Sequence, residues 1–179
     1  MTVNKKNFEK IRPIDISSEG YKKMPVEEFN KKFKNFFSNF PDDVIEQWPY
    51  RDFAAFLSSW EIIDYEKLKF SLVKLYNEQI MQIKVAGMND DDLIKWGRFQ
   101  MYETEASNYL KEYMKKEKKA PVPIIVLDTL NSNISGDYNF GKPYHLLEGH
   151  RRLSFLKTFI SDDESGLRNE QIVWLVKIQ

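Results

Sequence analysis

Gly149, His150, Arg151 and Arg152 stand where an apolar strand pattern gives way to an apolar helical one. Their types and order suit an anion. Glycine adopts backbone conformations closed to other residues and lets a ligand approach the main chain closely. The unpaired N–H groups of a first helical turn converge on negative charge. Two guanidinium groups can add charge-assisted, bidentate contacts to phosphate oxygens. His150 can donate a further hydrogen bond, with a charge that follows pH. Cations in a first turn oppose the helix dipole by about 0.3–1 kcal/mol each, and a bound phosphate would reverse that penalty. The alternative is that both arginines pair with Glu148, Asp162 or Asp163, or face water.

The flanking segments must position this tetrapeptide. "PIIVLD", after two prolines, carries the β-branched run Ile124–Leu127 and predicts a short buried strand. "NSNISGDYNFGKP" is turn-rich. "YHLLE" predicts a second strand, Gly149 a tight turn, and "HRRLSFLKTFI" a helix with Leu153, Phe155, Leu156, Phe159 and Ile160 on its apolar face. "SDDESGLRNE" predicts a loop and "QIVWLVKI" a last strand.

Upstream, the texture is helical. "EKIRPIDIS" reads as an edge strand or tethered arm. "MPVEEFNKKFKNFFSNF" places Pro25 at a helix start, with Val26, Phe29, Phe33, Phe36, Phe37 and Phe40 on one face. Two short helices broken before Pro49 should follow, turning Val44, Ile45, Trp48, Phe53, Phe56, Leu57 and Trp60 inward. A helix is expected from Asp64 to Gly87, on Tyr65, Leu68, Leu72, Leu75, Gln79 and Ile83. Another is expected from Asn89 or Asp90 to the lysine run at 115–119, with Leu93, Trp96, Gln100, Met101, Tyr109, Tyr113 and Met114 as its stripe, interrupted by Gly97.

Composition bounds the function. The chain has 179 residues, no cysteine and two histidines, which leaves no disulfide or thiolate zinc site and makes a histidine metal centre improbable. No apolar run is long enough to span a bilayer, and the first ten residues lack a signal-peptide core. A cytoplasmic protein without a membrane role is therefore expected. Net charge is zero, with 27 basic and 27 acidic residues. A nucleic-acid binder normally shows a basic face. Only residues 1–40 and "KEYMKKEKK" (111–119) are basic, and neither interleaves aromatics as single-strand platforms do, so nucleic acid is not the favoured partner.

"YHLLEGHRRLSFL" resembles the signature of the ParB/sulfiredoxin-like superfamily, in which a strand runs into Gly-x-x-Arg or Gly-x-Arg-Arg at the start of a helix. "PIIVLD" and "QIVWLVKI" take the places of the strands before and after it, so the resemblance covers about residues 120–179, and "IRPIDI" is a candidate for the family's opening strand. The resemblance implies that Gly149, His150, Arg151 and Arg152 cradle the phosphates of a nucleoside triphosphate, with Mg²⁺. It also implies hydrolysis or phosphotransfer as candidate activities, with some relatives acting as nucleases. Glu148 falls where kinase-like members carry an acid, there to orient a hydroxyl or hold Mg²⁺; the plainer reading is an ion pair with a neighbouring arginine. Sulfiredoxin chemistry needs a cysteine in the signature and is excluded here. The chain stops at Gln179 without a helix-turn-helix, so a centromere-binding clamp is not expected.

The expected architecture is α+β. A mainly helical region over 1–119, with 1–23 as an arm or edge strand, packs on a small ParB/sulfiredoxin-like mixed sheet and signature helix over 120–179. The leading function is binding of a nucleotide or other phosphate-bearing small molecule. The rivals are a non-catalytic module that docks a protein partner through its helices, and a nucleic-acid processing protein. "NDDD" (89–92) reads as a cap and first turn rather than a metal site. His145, alternating with Tyr144 and Leu146 on a strand, either faces the anion pocket or lies under the helices. Ser154 lies within a helix rather than on a nucleophile elbow.

Overall fold

The computed structural model describes residues 4–17, 20–60, 62–105, 108–134, 139–163 and 166–179. Parts of two expected loops, residues 135–138 and 164–165, lie outside the described residues. The chain is α+β and divides into two compact units, Met1–Phe70 with Ile178–Gln179, and Ser71–Lys177. The sequence instead places its change of texture at residue 120.

In the first unit α1 (Lys5–Glu9) is capped by Asn4, and β1 (Ile14–Ser17) pairs antiparallel with β2 (Gly20–Lys23). That pair is a separate two-stranded sheet. "IRPIDI" therefore supplies no strand to the main sheet, and its pairing is local. Three short helices follow: α2 (Val26–Lys34), α3 (Asp42–Gln47) and α4 (Phe53–Ser58). Pro25 sits at the N-cap of α2, Pro41 at that of α3, and Asp52 caps α4 by accepting from the Ala55 amide. Acids occupy the first turns of α2 and α3, where the dipole favours them. Their buried faces meet in an aromatic cluster: Phe56 stacks on Tyr65 with centroids 4.1 Å apart, and Phe8, Phe33, Phe37, Phe40 and Trp48 pack around Phe56. The Tyr65 hydroxyl donates to the Phe56 carbonyl at 2.6 Å, so its polar end is satisfied inside the cluster. Burial pushes its phenol pKa upward.

The expected helix over 64–87 is not formed. A 3₁₀ turn at Tyr65–Lys67 leads into β3 (Leu68–Tyr76), then α5 (Asn77–Met81) and β4 (Ile83–Lys84). The more buried positions of β3 are 68, 70, 73 and 75. They switch faces midway along the strand and so mimic helical spacing. Leu72, expected inside, is 55% exposed. Pairing with a distant strand overrides the local pattern.

The next expected helix is two: α6 (Asp90–Tyr102) and α7 (Asn108–Glu117). Asn89 caps α6, its Oδ1 accepting from the Asp92 amide at 2.8 Å. Tyr109, assigned to the buried stripe, is instead exposed. Gly97 is a packing site, because a Cβ there would lie 2.6 Å from the carbonyl oxygen of Ser154. That close approach brings α6 against α8 (His150–Ser161).

β5 (Ile124–Asp128), β6 (Tyr144–Glu148), α8 and β7 (Glu170–Ile178) form as the sequence predicts. The five-stranded mixed sheet has the order β3-β7-β5-β6-β4. β5 runs parallel to β7 and antiparallel to β6, and β4 runs parallel to β6. β5, in the middle, is buried along its whole length, as a strand paired on both edges and covered on its faces must be. The second core is mostly aliphatic: Leu75, Ile83, Leu93, Ile124, Val126, Leu146, Leu153, Leu156 and Val173, with Phe155 and Phe159.

Candidate functional site

The strand–glycine–helix turn has the expected geometry. β6 ends at Glu148, which sits opposite Ile125 of β5. Gly149 then takes φ 109°, in the left-handed region. A side chain would be doubly unfavourable here, through the φ value and through a Cβ only 2.7 Å from the Ile124 side chain. The Gly149 carbonyl accepts from the Leu153 amide at 2.8 Å, closing the first turn of α8. Gly149 brings no capping side chain, and α8 has no acid in its first turn.

The two arginines have different surroundings. Arg152 is nearly buried, and its Nη1 donates to the carbonyls of Val122 (3.0 Å) and Pro123 (3.1 Å). Its Nη2 lies 3.6 Å from Glu148 Oε1. The guanidinium thus ties the start of α8 to the proline-rich entry of β5, which has few amides of its own. Of the partners considered from sequence, Glu148 is beside Arg152, whereas Asp162 pairs with Arg98. Arg151 and His150, by contrast, are exposed. The Arg151 carbonyl accepts from Ser154 Oγ at 2.9 Å, so that hydroxyl is engaged within the helix.

His145 is buried on β6. Its Nδ1 accepts from the Gly141 amide at 3.1 Å and its ring packs edge-on against Phe140. Burial, with a smaller contribution from His150, lowers its pKa, which favours the neutral imidazole that can accept that bond. It holds the segment before β6.

Two charged residues that the sequence left in ordinary roles form a network around a buried ammonium. Lys157 is fully buried on α8, and its Nζ donates to the carbonyls of Met81 (3.0 Å) and Ile83 (2.7 Å) and to Asp90 Oδ1 (2.6 Å). Asp90 also accepts from Lys84. Burial lowers the Lys157 pKa, against the opposing pull of Asp90. At Asp90 burial raises the pKa, but the bonds from Lys157 and Lys84 outweigh it and hold the carboxyl below its usual range. The signal was present in sequence: Lys157 stands four residues after Leu153, on the apolar face of α8. All three ammonium protons have acceptors, which makes the network a structural tie.

Among the described residues no three His, Cys, Asp or Glu side chains gather as a metal site, and no helix is long and apolar enough to cross a membrane. Lys115 and Lys116 close α7, where the helix dipole favours cations. Compared with family models, curated proteins and solved structures, the chain gives no significant match.

Proposed function

We propose that residues 120–179 are a ParB/sulfiredoxin-like unit whose turn at Gly149 binds a phosphate of a nucleoside triphosphate or another phosphorylated small molecule. The observation that carries this reading is the left-handed Gly149 opening a twelve-residue helix with exposed His150 and Arg151 in its first turn. The helices α2, α3 and α6 open with acids; α8 opens with cations, an arrangement that an anion would stabilise. The order of β5, β6, glycine turn, α8 and β7 supports the family assignment. In this reading Arg151 and His150 meet the phosphate, and Arg152 positions the turn. Mg²⁺ would be held chiefly by phosphate oxygens, with Glu148, the residue before the turn, as a candidate carboxylate ligand.

Thermal unfolding with ATP or CTP and Mg²⁺ tests it. A ligand at a hundredfold excess over Kd stabilises the fold by about 2.7 kcal/mol. Arg151→Ala should abolish that shift. Arg152→Ala should lower the ligand-free melting temperature, since two carbonyls lose their donor. No shift with either nucleotide in the wild type rejects the nucleotide reading. Where ATP is turned over, loss of turnover in Glu148→Gln with the thermal shift retained would give Glu148 a catalytic role.

A second reading, a protein-interaction module, rests on Phe99 and Tyr102 of α6 and Tyr109 of α7, which are exposed at 47%, 52% and 78%. Such a module would be silent to nucleotides.

A further inference from the structure

The same end of the sheet carries a second feature. β5 and β7 run parallel, pairing Ile124 with Val173, and the Asn77 amide donates to the Asn169 carbonyl at 3.1 Å. The starts of β5 and β7 and the end of β3 therefore lie side by side. Between them is a cavity of about 420 Å³ lined in part by Lys74, Lys119, Pro121, Pro123, Arg168 and Ile172. That volume is within the range of small-molecule sites, roughly 300–1,000 Å³.

Its charges do not cancel. Lys74 is paired with Glu170, which also lines the cavity. Among the described residues neither Lys119 nor Arg168 has a carboxylate partner. The cavity thus presents two uncompensated cations from separate segments. Lys118, at φ 52°, turns the chain out of α7 and into the cavity wall. The buried Gln171 amide donates to the carbonyls of Lys118 (3.3 Å) and Arg168 (3.4 Å). One side chain therefore holds together the two segments that carry the cations. Ala120, Pro121 and Pro123 supply a rigid apolar wall, and Ile172, 55% exposed on β7, supplies another apolar surface.

We propose that this cavity is a binding site for a small phosphomonoester, with Lys119 and Arg168 on the phosphate and the prolines and Ile172 against the organic part. A phosphomonoester carries close to two negative charges at neutral pH, matching the two free cations; a carboxylate would leave one unanswered. A flat or apolar ester fits proline and isoleucine walls better than inorganic phosphate does. Gln171 is a positioning residue. The proposal does not rest on the reading of the turn at Gly149, although Arg152 of that turn holds the Pro123 carbonyl in the cavity wall.

The test is a titration of phenyl phosphate into protein labelled at isoleucine methyl carbons, followed by NMR at pH 8. The Ile172 methyl signal should move saturably, with Kd on the order of 1 mM or tighter. Benzoate, with the same ring and one charge, and inorganic phosphate, without the ring, should each bind about tenfold more weakly, a difference of about 1.4 kcal/mol. The double variant Lys119→Gln/Arg168→Gln should lose the displacement, and Arg151→Ala should keep it. A stationary Ile172 signal overturns the proposal, as does equal binding of benzoate. Equal binding of inorganic phosphate overturns the ester assignment. Loss of the displacement in Arg151→Ala would place the ligand at the Gly149 turn and equally overturn it. Should the double variant fail to fold, the three wild-type titrations still decide.

Discussion

The two units keep their chains folded by different means. In the first, rings do most of the packing: Phe56 alone has Phe8, Phe33, Phe37, Phe40, Trp48 and Tyr65 within 6.4 Å of its centroid. In the second, a mostly aliphatic core surrounds buried polar groups, with Lys157, Thr158 and Ser154 fully buried and Arg152 nearly so. The aromatic unit relies on non-directional burial, about 25 cal/mol for each Å² of apolar surface. The second relies also on directional bonds, which stabilise only when every donor and acceptor is met. Such bonds fix one arrangement of helix and sheet, and both candidate sites lie in that unit. A binding turn needs its groups held within fractions of an ångström, which directional ties supply better than ring packing does.

The largest expected effect is in the aromatic unit. Phe56→Ala should destabilise it by about 3–5 kcal/mol, read as faster amide exchange across α2–α4 by hydrogen-exchange mass spectrometry. Exchange in α8 should change far less; equal acceleration in both would erase the contrast. Next is Lys157→Met, which fills the space but removes the donor from two carbonyls and from Asp90. A cost of about 3 kcal/mol is expected, at the lower end for a broken buried pair because Asp90 keeps Lys84. Accelerated exchange should be confined to residues 80–95 and α8. A cost below about 0.5 kcal/mol, ordinary for surface changes, would mean that the network contributes no more than ring packing does.

The smallest effect is a pH dependence. The Asp90 carboxyl is held below its usual value in the fold. The unfolded chain therefore binds the proton first as pH falls. Its contribution is present above about pH 4 and is lost as pH drops through the lowered folded value. Urea midpoints between pH 2 and 5 should fall less steeply for Asp90→Asn than for the wild type. Parallel slopes would show that the carboxyl carries no acid-linked stability.

Several elements were legible because their signals are local. Asn89 caps α6 through its own side chain, and Gly149 bends because no other residue takes that φ without strain. The run Ile124–Leu127 is a buried strand because four β-branched or γ-branched residues in a row suit nothing exposed. β3 was not legible. Its inward positions change face between Phe70 and Val73, and the partner that makes it a strand lies about a hundred residues away. Gly97 read as an interruption, whereas it is the contact that lets α8 approach. The two arginines looked equivalent; which one is consumed by Val122 and Pro123 depends on where the β5 entry runs. Lys119 read only as the end of a lysine run and Arg168 carried no motif, since their meeting follows from the parallel pairing of β5 with β7.

The sequence alone determined the α+β class, the turn at Gly149, the order of β5, β6, α8 and β7, and the aromatic make-up of the first core. Each of these follows from neighbouring residues: side-chain period, caps, and the dihedral freedom of one glycine. Tertiary structure alone decided the edge strands β3 and β4, the tie of buried Lys157 to Asp90, the division of labour between Arg151 and Arg152, and the cavity with its two cations. These depend on which distant segments become neighbours, and pairing across a sheet is a property of the whole chain rather than of any short stretch.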